Sequence, residues 1–298
     1  MAHRAILAGV SLGSDLPVAV IGVLNVSPES FHAGSVHTAG DDLLTVALAM
    51  VEAGAALIDV GARSTAPYLD TAISAEDERA RLARAIDVLA PKVPVPISAD
   101  TARPGPARGA LDAGARVIND VTGLRDPAVA ALVRERDAGI ILMASPEGPG
   151  PHANPIASGV ERRLPSGVDP VASVKALLAR GLERARAAGI SEERVVLDPG
   201  IGFFRNEGVP WDEWDVRVLA GLGALTTLGR PLCVGVSRKS FIGAITGRPR
   251  TEERLAGSLA ATTVAVWNGA ALIRAHDVAE TLDAARVAER IREAPRTL

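Results

Sequence analysis

Val18-Ala-Val-Ile-Gly-Val-Leu-Asn25 runs directly into Val26-Ser-Pro-Glu-Ser-Phe31. The first eight residues are almost continuously apolar, as a parallel strand covered on both faces must be, and the run breaks at a polar, Pro-containing turn. Two architectures use strands of this kind. An open, doubly wound sheet that binds nucleotides wants a Gly-rich fingerprint right after its first strand, so that phosphate can approach the backbone. No such fingerprint follows Asn25. The closed alternative is therefore favoured.

Outward from this stretch the same pattern recurs. Apolar runs at Val18–Asn25, Ala56–Ala62, Val95–Thr101, Arg116–Asp120, Gly139–Ser145, Arg194–Gly200, Pro231–Ser237 and Ala271–His276 make eight candidate strands. Helical periodicity marks the segments between and after them. Leu82, Ile86 and Leu89 fall at i, i+4, i+7, and Ala284, Val287, Ala288 and Ile291 at i, i+3, i+4, i+7. Eight strand-helix repeats predict an α/β protein of the (β/α)8 or TIM-barrel class, with residues 1–298 as one domain. Dense Pro and Gly between Pro146 and Pro170 predict a long loop after the fifth strand.

Composition agrees with this and excludes several classes. A chain of 298 residues, 48% hydrophobic, can bury one large core. Its 32 basic and 35 acidic residues leave a net charge of −3, so no global field points to nucleic acid or an anionic membrane. Any anionic ligand needs a local basic pocket. The single Cys233 sits in an apolar run and supports no internal disulfide framework, which predicts a buried structural thiol. The short apolar stretch Ala5–Leu12 is followed by Ser14 and Asp15 without a cleavage signal, and no long apolar span occurs. The expected location is the cytoplasm.

Chemistry concentrates where strands end. These ends read Asn25, Arg63-Ser-Thr65, Asp100-Thr101, Asn119-Asp120, Asp198, Ser237-Arg-Lys-Ser240 and Arg274-Ala-His-Asp277. Any one of them is explained as well by helix capping, but seven coincident polar ends on the one face where barrels place their active sites are not. Asp100, Asn119 and Asp198 offer carboxylate and amide edges to a flat heterocycle carrying donors and acceptors. Lys239, Arg274 and His276 offer positive charge, with Lys239 after strand seven, in the region where barrels often hold phosphate. Together they suit a polar ring with an anionic tail. Asn25 is a neutral oxygen ligand able to hold a hydrated Mg2+ beside that anion. Neither a His/Cys zinc pattern nor Ser-His-Asp spacing for acyl transfer is present.

An ordered set of motifs resembles dihydropteroate synthase, a family of pterin-binding barrels, along nearly the whole chain. The motifs are Gly22-Val-Leu-Asn-Val-Ser-Pro-Glu-Ser-Phe31, Ser98-Ala-Asp-Thr101, Ile118-Asn-Asp-Val121, Leu197-Asp-Pro-Gly-Ile-Gly-Phe203, Gly235-Val-Ser-Arg-Lys-Ser-Phe-Ile-Gly243 and Arg274-Ala-His-Asp-Val278. The resemblance implies a transferase joining a dihydropterin methyl diphosphate to p-aminobenzoate, with diphosphate leaving dissociatively as a C–N bond forms. It implies pterin contacts at Asp100, Asn119, Asp198 and Lys239, apolar walls at Met143 and Phe203, and Arg274 over the ring. Diphosphate contacts fall on Asn25, Arg274 and His276, with Mg2+ at Asn25. Amine contacts fall on Phe31, Thr65, Pro67 and Ser240. A homodimer paired through outer helices is implied as well.

Departures from the family pattern cluster in the loops after the first two strands. Ala33 stands where the family usually has Asp, and Arg63-Ser-Thr-Ala-Pro67 replaces Glu-Ser-Thr-Arg-Pro, so that Ala66 takes the place of the customary Arg. Arg63, three residues upstream, becomes a candidate amine contact. After strand five, Met143-Ala-Ser145 replaces Met-His-Met. Three readings stay open: the synthase reaction itself, the same reaction with a larger arylamine as in methanopterin-type pathways, and a pterin-binding barrel of methyltransferase type or without catalysis. The basic set at Ser237–Ser240 and Arg274–His276 speaks against the third.

Overall fold

A computed structural model describes residues 3–26, 40–62, 73–145, 169–204 and 210–294. Two short strands that the apolar stretch Ala5–Leu12 did not announce open the chain. Strands β1 (Arg4–Leu7) and β2 (Val10–Gly13) pair antiparallel as a tight hairpin. The eight strands expected from the sequence then follow as β3 (Ala19–Asn25), β4 (Leu57–Gly61), β5 (Ile97–Asp100), β6 (Val117–Asp120), β7 (Gly139–Met143), β8 (Val195–Asp198), β9 (Leu232–Gly235) and β10 (Ala270–Ala275). All neighbours pair in parallel, and β10 closes onto β3 to complete the barrel. The helices are α1 (Gly40–Glu52), α2 (Ala75–Leu89), α3 (Pro104–Asp112), α4 (Pro127–Glu135), α5 (Pro170–Ala187), α6 (Trp211–Ala220), α7 (Ser240–Thr246), α8 (Leu255–Trp267) and α9 (Val278–Arg292).

Local chemistry sets where helices begin. Asp126 and Asp169 cap α4 and α5 by accepting the backbone N–H of Ala128 and Val171, each at 2.9 Å, and Pro127 and Pro170 occupy the first turn. A side-chain oxygen thus satisfies an orphan donor, while proline removes another at no cost. Of the long loop expected over Pro146–Pro170, residues 146–168 lie outside the described residues.

Period-two alternation sorts the strand side chains between two cores. Val20, Ile58, Ile118, Ile140, Leu197 and Ile273 point outward against the helices. Ile21, Leu57, Val117, Ile141, Val196 and Leu272 point into the lumen, where Ala5, Leu7 and Leu12 of the hairpin pack against them. The hairpin therefore plugs the foot of the barrel. Leu7 and Leu12 are fully buried, each worth ~1.5–3 kcal/mol in transfer terms. Cys233 joins this floor as the expected buried thiol, and burial pushes its pKa up.

One expectation needs correction. Helix α9 exists, but the face proposed from Ala284, Val287, Ala288 and Ile291 is not the buried one: Val287 and Ile291 are 58% and 56% exposed. Val278, Thr281, Leu282, Ala285 and Ala288 face the barrel instead. Two apolar registers compete on this helix, and packing against β3 and α8 selects the second. No helix among the described residues is long and apolar enough to cross a membrane.

Candidate active site

Two residues above each apolar floor position, the next inward-facing side chain is usually polar. Leu57 is followed by Asp59, Val117 by Asn119, Val196 by Asp198, and Leu272 by Arg274 and then His276, while Ser98 is followed by Asp100. This polar layer is the candidate site. It lies at the C-terminal rim, above a dry floor.

Its members are tied together. Arg274 donates from Nε to Asp59 Oδ2 at 2.7 Å and from Nη2 to Asp100 Oδ2 at 3.0 Å. Asn119 Nδ2 donates to the same Asp59 oxygen at 3.1 Å. Burial would depress the Arg274 pKa, but the charges of Asp59 and Asp100 outweigh it and raise the pKa instead. The guanidinium is permanently charged and held at two points.

Asp198 stands beside Met143 across the β7–β8 pairing, and its Oδ1 accepts the Gly200 N–H at 2.7 Å. Burial raises its pKa, against the pull of Lys239, the Gly200 N–H and Arg274. Lys239 donates to the Ile201 carbonyl and lies 4.5 Å over the Phe203 ring. Burial pulls its pKa down to about 8, against Asp198 and Asp215. Part of this side chain still meets solvent, which softens the effect. Met143, Val121 and Phe203 form a small apolar cluster under the same rim, bringing the two expected walls together.

His276 shares a hydrogen bond between Nδ1 and Ser237 Oγ at 3.1 Å. Burial among its neighbours and the Arg274 charge pull its pKa down to about 4, although its ring remains open to solvent on one side. It is a neutral imidazole at pH 7, ready to donate or accept a hydrogen bond. Asn25 ends β3 opposite Gly61, half-buried; among the described residues no hydrogen bond joins its side chain to Arg274 or His276. Ser240 opens α7 directly after Lys239. Phe31, Ala33, Arg63, Thr65, Ala66 and Pro67 lie outside the described residues.

A cavity of about 320 Å³ between Leu16, Pro17, Arg286 and Glu289 sits at the opposite, N-terminal end. Its Glu289 is already used, accepting the Val18 N–H at 2.7 Å. The rim layer holds the convergent groups, so the rim is the candidate site.

The family model described as pterin binding enzyme matches residues 21–276. The chain belongs to the dihydropteroate synthase family of pterin-binding enzymes. It is 36% identical over 270 residues to dihydropteroate synthase of Escherichia coli K12, covering 91% of this chain and 90% of that one. The dihydropteroate synthase of Xanthomonas albilineans solved with 4-aminobenzoic acid superposes with a TM-score of 0.83 at 37% identity, over 99% of this chain and 100% of that one. The same enzyme solved with 7,8-dihydropteroate gives 0.80 at 36%, over 98% and 100%.

Dihydropteroate synthase motifs thus account for most of the rim, yet sequence reading missed Asp59. It lies in the middle of a strand rather than at its end. The available signal was a charged residue inside the fully buried run Leu57–Gly61, which a structural strand has no reason to carry. Buried Glu78 on α2 was missed as well; it accepts from Thr101 Oγ1 at 2.5 Å and pairs with Arg103 at 3.1 Å. Asp120, a strand-end residue, accepts the N–H groups of Thr122 and Leu124 and serves the turn.

Proposed function

We propose that this chain condenses 6-hydroxymethyl-7,8-dihydropterin diphosphate with p-aminobenzoate, releasing diphosphate and forming dihydropteroate, a step of folate biosynthesis. The observation that carries the reading is the rim layer itself: Asp100, Asn119 and Asp198 present hydrogen-bonding edges beside the cations Lys239 and Arg274. In this reading Asp100, Asn119, Asp198 and Lys239 hold the pterin ring between Met143 and Phe203. Arg274 and His276 receive the diphosphate.

Chemistry follows from placement. The C–O bond to diphosphate breaks as the amine nitrogen bonds to the methylene carbon, and the amine proton passes to solvent or to the departing diphosphate. Arg274 stabilises charge on the leaving group, while the ring contacts spread the developing cation. No protein nucleophile is needed.

Mg2+ fits as a hydrated ion. Among the described residues no group of three or more His, Cys, Asp or Glu could cage a metal, so Asn25 would be its protein ligand, with water and phosphate oxygens completing the shell. When bound, Mg2+ would neutralise diphosphate charge. A higher Mg2+ concentration needed for diphosphate binding in Asn25→Ala would support this; an unchanged requirement would overturn it.

Replacement of the customary Arg by Ala66 favours one second reading, the same reaction with a bulkier arylamine. An assay of diphosphate release with p-aminobenzoate and with larger arylamines decides between them. Release with p-aminobenzoate is expected; release with none of the amines would overturn the transferase reading.

We also infer a cytoplasmic homodimer. Helix α8 carries no charged residue along 13 positions, and a helix so rich in apolar residues calls for cover. Its Val264 and Trp267 are exposed at 43% and 41%; Val287 and Ile291 are exposed on α9, whose Arg292 donates to the Val266 carbonyl of α8. A second copy of the chain would cover this face. Light scattering should report a dimer, weakened by Trp267→Glu; a monomer at all concentrations would refute it.

A further inference from the structure

Asp59 is fully buried at the inner edge of the rim layer, paired opposite Ser98 rather than Asp100, and its Oδ1 has no hydrogen-bond partner among the described residues. Such a carboxylate is costly where it does no more than fill space. Its other oxygen, Oδ2, gathers Arg274 Nε at 2.7 Å and Asn119 Nδ2 at 3.1 Å. Arg274 meanwhile spends Nη2 on Asp100 at 3.0 Å. The two grips on the guanidinium have different fates once a ligand arrives. A pterin edge that presents two adjacent N–H groups to both oxygens of Asp100 displaces Nη2 from Oδ2, whereas Asp59, paired opposite Ser98 two residues short of the Asp100 register, keeps Nε.

We propose that Asp59 is the positioning residue of this site: it retains Arg274 through Nε while the pterin takes over Asp100, and so turns the released Nη groups to the diphosphate. The inference rests on the transferase reading above. Ring binding and tail binding are then coupled, because the ring frees the donor that the tail uses. Exchange of a carboxylate for a phosphate acceptor keeps a charge-assisted hydrogen bond on Nη2 throughout.

A double-mutant cycle on the full chain tests this. Calorimetry on the wild type, Asp59→Ala, Arg274→Ala and the double variant would compare 6-hydroxymethyl-7,8-dihydropterin with its diphosphate. The readout is the ratio of the two affinities, the gain contributed by the tail. In Asp59→Ala this ratio should fall about tenfold or more, equivalent to about 1.4 kcal/mol, with a smaller loss for the phosphate-free pterin. On the Arg274→Ala background Asp59→Ala should change the ratio no further, as expected for residues acting as one unit. Asp59→Asn, which keeps an acceptor but not the charge, should give an intermediate ratio and serves if the Ala variant does not fold. A wild-type ratio in both Asp59 variants, or additive losses in the cycle, would overturn the inference. A wild type that fails to bind the pterin diphosphate would instead sink the transferase reading.

Discussion

Arg238 and Asp277 clasp the two loops that deliver Lys239 and His276: Arg238 Nε and Nη2 donate to Asp277 Oδ2 and Oδ1 at 2.8 and 2.6 Å. Arg238 sits at φ +55°, a left-handed conformation unusual for a branched-free but bulky side chain, and it is fixed from both sides. Its N–H donates to Ser258 Oγ at 2.8 Å, and its carbonyl accepts from Arg254 Nη1 at 3.1 Å. Strain at one residue is thus held by α8 and by the start of α9.

Breaking that clasp from one side should cost stability and aim together. Asp277→Asn is expected to lower stability by about 1–3 kcal/mol, since a part-buried charged donor loses its partner, and to reduce turnover about tenfold. The double variant Arg238→Met/Asp277→Asn should recover part of the stability, because no unpaired charge remains. Denaturant titration of Arg238→Met, Asp277→Asn and the double variant checks this. A double variant as unstable as the summed singles would refute the coupling.

Gly202 supports Lys239 from below. It adopts φ +83°, its N–H donates to Asp215 Oδ1 at 2.8 Å, and a Cβ placed there would lie 2.8 Å from Lys239 Cδ. Gly9 has a similar φ of +94° in open space. Ala at either position should cost about 1 kcal/mol or more from the backbone alone. Only Gly202→Ala should also weaken pterin binding, several-fold, by displacing the lysine. Equal pterin affinity in the two variants would show that Gly202 does not position Lys239.

Lys239 should be the most reactive of the three lysines, with Lys92 and Lys175 as internal references. A pKa near 8 leaves about half of its amine neutral at pH 8, against under one per cent for an ordinary lysine near 10.4. The sign is that of a depressed group: the folded protein favours the uncharged amine, so the stability gained from it is full above pH 10.5 and lost as pH falls through 8. Labelling with trinitrobenzenesulfonate at pH 8, read by peptide mass, should tag Lys239 first and slow when pterin is added. Uniform labelling would show an ordinary lysine.

Barrel strands were legible because both faces are buried, so runs such as Gly139–Met143 are continuously apolar. Rim residues were legible as polar interruptions at the ends of those runs. Asp59 was not, because an interruption inside a run looks like noise until Arg274, 215 residues away in the chain, is brought against it. The buried face of α9 was ambiguous for a different reason: Ala288 belongs to both candidate stripes, and only contact with the neighbouring elements chooses between them. Hairpin β1–β2 escaped because four-residue strands carry too little pattern to read.

Ile21, Leu57, Val117, Ile141, Val196 and Leu272 fill the lumen below the rim layer, and Leu7 and Leu12 seal that packing from beneath. Whatever binds the rim layer has no passage through the foot of the barrel. A molecule resting on the deeper groups, around Asp100 and Asn119, is therefore trapped whenever a second molecule sits above it. In the transferase reading the molecule on the deeper groups would then leave after the one above it, so that the plug at the foot bears on the order of release as well as on stability.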